Sequence, residues 1–249
     1  QIEHYNADSS RRRGLFNLAF ICYIERGGIR MQISYYGHSA FKLTGKNGTV
    51  FIDPYDDKIG LSLPNITADV VVSSHDHSDH NAISKIKGTA RRPQPFIISS
   101  PGEYEVGGIS VFGTGMYHDD KKGAERGLNT IFTVFMDELR VCHLGDLGHA
   151  LTAEDVEEIG VVDVLLCPVG GHFTISPKQA VTIIQQLEPS YVIPMHFKTD
   201  KHSKLFDEVK TLAEFLKEYG VSPTPQAKFV VEKSKLPEET ELVVLEEQA

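Results

Sequence analysis

A chain of 249 residues, 41% hydrophobic and 24% charged, has the composition of an ordinary soluble globular protein and enough length for one large domain or two small ones. The formal net charge of −9 counts against a broad basic surface for nucleic acid, and no stretch approaches the ~20 apolar residues of a membrane span. Three cysteines, Cys22, Cys142 and Cys167, are an odd number without metal-like spacing, which suits reduced thiols in a cytoplasmic protein better than a disulfide framework.

In chain order, residues 14–24 ("GLFNLAFICYI") follow three arginines and loosely imitate a signal peptide, but no small-residue cleavage site precedes Glu25-Arg26. Clean alternation begins with "MQISYYG" at Met31. Residues 1–30 are therefore expected to be an extension upstream of a native start, with a helical arm packed on the domain as the alternative, and 31–249 to be a single domain. Short strands are expected at 31–36, 40–44, 49–52, 69–73, 95–99, 108–112, 130–136, 140–144, 162–167, 191–195, 228–231 and 241–245. Lys46-Asn47-Gly48 and Gly107-Gly108 supply turns. Helices are expected at 79–87, 152–159, 176–187 and 205–219. Thr152 with Asp155 forms a capping-box pattern, and Ser176 precedes Pro177 at a first helical position. Strands first and helices later, without a Pro/Gly-rich linker, suit one α/β domain of two sheets with outer helices.

The conspicuous stretch is "VVVSSHDHSDH" at 70–80. Val70, Val71 and Val72 read as a buried strand, and three histidines and two aspartates crowd the six positions where it leaves the core. Imidazole and carboxylate are ligands of borderline divalent metals. His75 and His77 are two apart and project the same way from an extended strand end, whereas Asp79 and His80 are turned toward a second position. Further candidates sit singly after later strands: His118 in "GMYHDD", Asp146 in "HLGDLGH" and His196 in "IPMHF".

This H-x-H-x-D-H motif, followed by His, Asp and His at later strand ends, resembles the metallo-β-lactamase superfamily. "YYGHSAFKL", "TVFIDPY", "HLGDLGH", "PVGGHFTISP" and "VIPMHFKT" are similar to its small bacterial branch of metal-dependent hydrolases related to ascorbate-6-phosphate lactonase, from Met31 to about Glu246. The resemblance implies an αββα sandwich of two mixed sheets with a metal site along one edge. It implies two divalent ions, zinc first, with manganese or iron as alternatives. His75, His77 and His118 would surround one ion, Asp79, His80 and His196 the other, and Asp146 would bridge them. Asp53 would orient the ligand loop. His38, in "GHSAF", is expected either beside the metals or behind the ligands, and His143, on the strand before Asp146, as a packing residue or behind the ligands. Asp79 and Asp146 are the candidate catalytic residues of a hydrolase whose attacking hydroxide is shared by the ions.

Lys121, Lys122 and Arg126 follow His118 closely enough to bind an anionic substrate group, while a solvated loop is the plainer reading. Asp119 and Asp120 are not expected to bind metal. His172 and Thr174, after Gly170-Gly171, are candidate substrate contacts, and His4 and His202 are expected at the surface. The expected partner is a small ester, lactone or phosphorylated molecule, with association between copies left open. Phosphodiesterase or nuclease action on nucleic acid, and a metal-binding module without turnover, remain competing functions.

Overall fold

The computed structural model describes residues 30–248. The expectation for the preceding segment and His4 lies outside them. β1 (Arg30–Tyr35), β2 (Phe41–Thr44) and β3 (Thr49–Ile52) form a meander, with the second turn closed by Gly45 N–H on the Gly48 carbonyl at 3.0 Å. β4 (Ile66–Thr67) precedes β5 (Val70–Val72), and β6 (Ile86–Lys87) precedes β7 (Phe96–Ile98). β8 (Gly102–Glu105) and β9 (Ser110–Tyr117) make a hairpin through Gly107-Gly108, followed by β10 (Leu128–Met136) and β11 (Leu139–His143). Then come α1 (Ala153–Ile159), β12 (Val164–Pro168), α2 (Pro177–Leu187), β13 (Tyr191–Met195), α3 (Leu212–Tyr219), β14 (Phe229–Glu232) and β15 (Glu241–Leu242).

Two mixed sheets result, ordered β14-β1-β2-β3-β5-β7 and β15-β13-β12-β11-β10-β9-β8, beside a small β4-β6 ribbon. β1 and β3 are each antiparallel to β2, and β3, β5 and β7 are parallel, so β1, β3 and β5 share one direction. By the same count β9, β11, β12 and β13 share a direction in the second sheet. The carboxyl ends of these strands therefore gather, within each sheet, along one edge.

The period of two explains the layering. Val50, Ile52, Val70 and Val72 join the main core with residues of the second sheet such as Val134 and Val141. Phe51 and Val71 point the other way, into a second cluster with Tyr55, Ile59, Leu61, Ile66, Ile86, Phe206 and Val209. Both faces of β3 and β5 are thus covered, which is why their sequence is continuously apolar.

Two helix expectations are corrected here. Residues 79–87 form no α-helix: turns lead to a 3₁₀ turn at Ile83–Lys85 and then β6. Neighbouring chain takes the backbone donors and acceptors a helix would use, since Ala82 N–H bonds the Pro54 carbonyl and the Ser78 carbonyl accepts from Asp56. The expected 205–219 helix splits into a 3₁₀ turn at Lys204–Phe206 and α3, which starts only after the Thr211–Glu214 capping box. The first sheet's outer cover is consequently 3₁₀ turns, loops and the β4-β6 ribbon. α2, with the expected Ser176 cap and Pro177, packs on β12 and α3 over the second sheet. No helix among the described residues is long and apolar enough to cross a membrane.

Candidate metal centre

Each motif residue sits just past a strand whose carboxyl end lies on the shared edge. His38 follows β1, Asp53 follows β3, His75 to His80 follow β5, His118 follows β9, Asp146 follows β11 and His196 follows β13. Three of these adopt left-handed backbone, His38 at φ 53°, Asp53 at 50° and His196 at 52°. Such conformations cost non-glycine residues about 1–3 kcal/mol each and persist where the surroundings over-determine them. Here the His196 N–H bonds the His38 carbonyl at 2.8 Å, locking two of the three together.

The side chains converge in the two expected groups. Donor atoms of His75, His77 and His118 lie within 4.8 Å of one another, as do those of Asp79, His80 and His196, which His38 joins. Between the groups stands Asp146, with Oδ2 3.3 Å from His118 Nε2, 3.3 Å from His80 Nε2, 3.1 Å from His196 Nε2 and 4.0 Å from His75 Nε2. One oxygen thus faces both groups, the arrangement a bridging ligand requires.

Hydrogen bonds behind the ring aim these atoms. Asp53, fully buried, accepts from Ser74 N–H at 2.7 Å, Ser74 Oγ at 2.6 Å and His80 Nδ1 at 2.8 Å. With its hydroxyl proton given to Asp53, Ser74 Oγ accepts from His75 Nδ1 at 2.9 Å. In their neutral form both histidines are fixed as tautomers with a bare Nε2 facing inward. Those Nε2 atoms, with His196 Nε2 and Asp146 Oδ1, are buried without a partner. Buried polar groups are seldom left so, and a divalent cation would satisfy them, so the donor set fits metal. His143 differs: Nε2 donates to the Ser39 carbonyl and Nδ1 accepts the Gly145 N–H, so both nitrogens are used in holding the Asp146 loop. Asn129 completes that loop, accepting Asp146 N–H at 2.9 Å and donating to the Leu144 carbonyl.

Electrostatics agree. Burial alone would raise the Asp146 carboxyl, but His196 and His80 hold it well below the usual carboxylate range. Burial likewise opposes ionisation of Asp79, and His80 and His38 overcome it. His38 itself is pushed down to about 3, by burial first and then by His196, and is neutral. His80 goes the other way: burial disfavours its charge, yet Asp146, Asp79 and Asp53 raise it well above its ordinary value. In the metal-free protein a proton on His80 therefore supplies the positive charge these carboxylates demand. This raised pKa stabilises the metal-free fold fully below the unfolded value of ~6.5 and loses that contribution as pH rises through the folded value. Metal must displace the proton, so affinity should increase with pH across neutrality and binding near pH 7 should release protons. Calorimetry in buffers of different ionisation enthalpy measures this; proton-neutral binding would contradict it.

Gly145 makes the Asp146 approach possible. At φ 56°, a Cβ there would meet Asn129 Oδ1 at 2.2 Å and Ser74 Cβ at 2.8 Å. Gly145→Ala should cost about 1–3 kcal/mol, from the backbone conformation and the overlap. Thermal denaturation of metal-free protein should show the loss, and an unchanged midpoint would refute this packing.

A cleft of about 230 Å³ opens on the centre, lined by His77, Asp79, His118 and Asp146 and walled by Arg126, Phe173, Leu205 and Phe206. Of the expected substrate contacts, only Arg126 lines it. Lys121 and Lys122 are exposed, and Lys121 is ion-paired with Glu125. His172 is exposed at φ 58°, and the buried Thr174 hydroxyl is turned to the Ile175 carbonyl. His202, expected at the surface, is buried instead, its Nδ1 accepting from Thr199 and its ring 5.6 Å from His38. Asp119 binds backbone rather than metal, accepting N–H bonds from Lys121, Gly123, Glu125 and Arg126. Sequence reasoning missed Ser74, Asn129, Phe173, Leu205 and Phe206. Phe173 stood in the flagged "GGHFTISP" stretch, where an apolar residue in a glycine loop was a usable signal.

Comparison with known proteins gives a consistent picture. The family described as "Beta-lactamase superfamily domain" matches residues 32–196. A protein of Korarchaeum cryptofilum named as a metal-dependent hydrolase is 32% identical over 211 residues, covering 76% of this chain and 90% of its own. A Staphylothermus marinus protein of the same description is 32% identical over 220 residues, covering 78% and 92%. Among solved structures, a candidate Zn-dependent hydrolase of the metallo-β-lactamase superfamily from Thermotoga maritima superposes with a TM-score of 0.67 at 36% identity, covering 86% of this chain and 98% of that one.

Proposed function

Since the chain belongs to the metallo-β-lactamase superfamily and is a metal-dependent hydrolase, we propose that it works with two divalent ions on a small ester, lactone or phosphorylated substrate. The observation that carries the two-ion reading is Asp146 Oδ2, within 3.3 Å of His118 on one side and of His80 and His196 on the other. His75, His77 and His118 would hold one ion, Asp79, His80 and His196 the other, with Asp146 between. Zinc, manganese and iron all suit such ligands.

Divalent ions in these positions supply Lewis acidity, making water acidic enough to attack near neutral pH and polarising the oxygen under attack. The chain's own residues do the rest. Asp53 and Ser74 keep the imidazoles aimed, so little reorganisation accompanies reaction. Asp79 lines the cleft with Oδ2 3.3 Å from His38 Nε2. Held ionised, it is placed to take a proton from water and pass it to the leaving oxygen, with His38 fixing its orientation. Phe173, Leu205 and Phe206 give the cleft an apolar side.

A cleft of about 230 Å³ falls below the ~300–1,000 Å³ of pockets that enclose drug-sized ligands. That size supports a small substrate over a polynucleotide. A panel of lactones, aryl esters, phosphodiesters and β-lactams on metal-loaded protein tests the reading. Turnover of a small lactone or ester, abolished by chelator and restored by metal, is expected. Turnover confined to polynucleotide phosphodiesters would replace it with the nuclease reading, and no turnover with full metal loading would leave a binding module.

A further inference from the structure

Resting on that reading and deepening it, we propose that Arg126 and Phe173 form a substrate clamp selecting a small molecule with one anionic group next to an aromatic or hydrocarbon part. The Arg126 guanidinium carbon lies 5.8 Å from the centre of the Phe173 ring, on the wall of the cleft. No carboxylate among the described residues pairs with it, whereas Lys121 is engaged by Glu125 and Lys122 lies outside the cleft. Arg126, the one lysine or arginine among the described residues that lines the cleft, therefore keeps its guanidinium donors for a ligand. A guanidinium on a ring face suits this task, because it binds carboxylate or phosphate in a planar fork while the ring fixes its plane.

Arg126 is also held in place. Buried Asp119, next to the ligand His118, accepts both the Glu125 and Arg126 N–H groups on Oδ2, at 2.9 and 2.8 Å, and Lys121 and Gly123 on Oδ1. One carboxylate thus gathers the loop that carries Arg126 and ties it to the strand end that delivers His118. Beside Arg126 the wall is aromatic: Phe173 meets Phe206 edge-on at 5.9 Å, and Phe206 backs onto the buried His38 at 5.1 Å. Leu205, largely exposed, extends the apolar surface at the cleft. A ligand reaching from Arg126 to the metal ligands must therefore lie along rings, which favours a hydrocarbon or aromatic body over a polyhydroxylated one.

Binding to metal-loaded protein separates this proposal from the hydrolase reading. The probes are 3-phenylpropionate, its neutral amide and acetate, titrated calorimetrically. Wild type should bind phenylpropionate about tenfold or more tightly than either the amide or acetate. Arg126→Ala should erase the preference over the amide and leave amide affinity in place. Phe173→Ala should erase the preference over acetate. Asp119→Ala should weaken the acid preference with metal content retained, the signature of a positioning residue. An unchanged acid-to-amide ratio in Arg126→Ala would place the anion on the metals and overturn the proposal. So would its loss in a Lys121→Ala/Lys122→Ala variant with Arg126 intact. If the clamp behaves as expected while no ester or lactone is turned over, the small ester or lactone reading fails and the clamp stands.

Discussion

Asp146→Ala should leave a folded protein that binds at most one ion per chain and has no measurable hydrolysis. The carboxylate is almost wholly buried, and its Oδ2 approaches three imidazoles drawn from both candidate ligand groups within 3.3 Å. Removing it takes away the shared ligand and the charge that balances two cations. The loss should exceed the ~10–100-fold typical of removing an orienting partner. His38→Ala is the comparison, because His38 meets Asp79 through one bond and contributes to a single group. Greater damage from His38→Ala than from Asp146→Ala would mean that the bridge is misassigned.

Asp53→Asn should be the most destabilising of the conservative changes around the centre. The buried carboxylate receives three donors, Ser74 N–H, Ser74 Oγ and His80 Nδ1, and an amide would turn N–H groups toward at least one of them. Breaking a buried charged partnership of this kind typically costs about 3–5 kcal/mol. The chemical consequence is separate from the stability loss. His80 loses the bond that bares its Nε2, and His75 loses the Ser74 relay, so one substitution loosens a ligand on each side. Metal affinity should fall ~10–100-fold, measured by chelator competition at a temperature where the variant remains folded. Wild-type affinity in Asp53→Asn would show that the ligands are oriented without it.

The candidate ligands were legible because they follow apolar strands, clustered at 75–80 and singly at 118, 146 and 196, where polar side chains have little reason to be unless the edge of the sheet is used. The 75–80 cluster stood out in the sequence, but β5 ends at Val72 and residues 74–80 are bends and turns, so the strand period does not itself separate its two groups. The capping pairs at Thr152 and Ser176 marked helix starts that the structure keeps. What escaped depends on contacts between distant segments. Ser74 is an unremarkable serine until Asp53, 21 positions away, accepts its hydroxyl hydrogen bond, and Asn129 reads as a strand residue until it binds the Asp146 loop 17 positions later. The stretch 79–87 was misread for the same reason, since its hydrogen-bonding groups are used by residues near 54–56 and by β4 rather than by a helix. His202 carries no local motif, and only the fold brings it beside His38 and Phe206. Arg126 and its lysine neighbours look equivalent in sequence, and it is the Asp119 turn that brings one of them into the cleft wall.

Elemental analysis of the protein, saturated with zinc and freed of excess by gel filtration, tests the two-ion centre most directly. The geometry predicts close to two zinc ions per wild-type chain, falling to at most one in Asp146→Ala. A wild-type chain that retains one ion, or none after reconstitution, would contradict it.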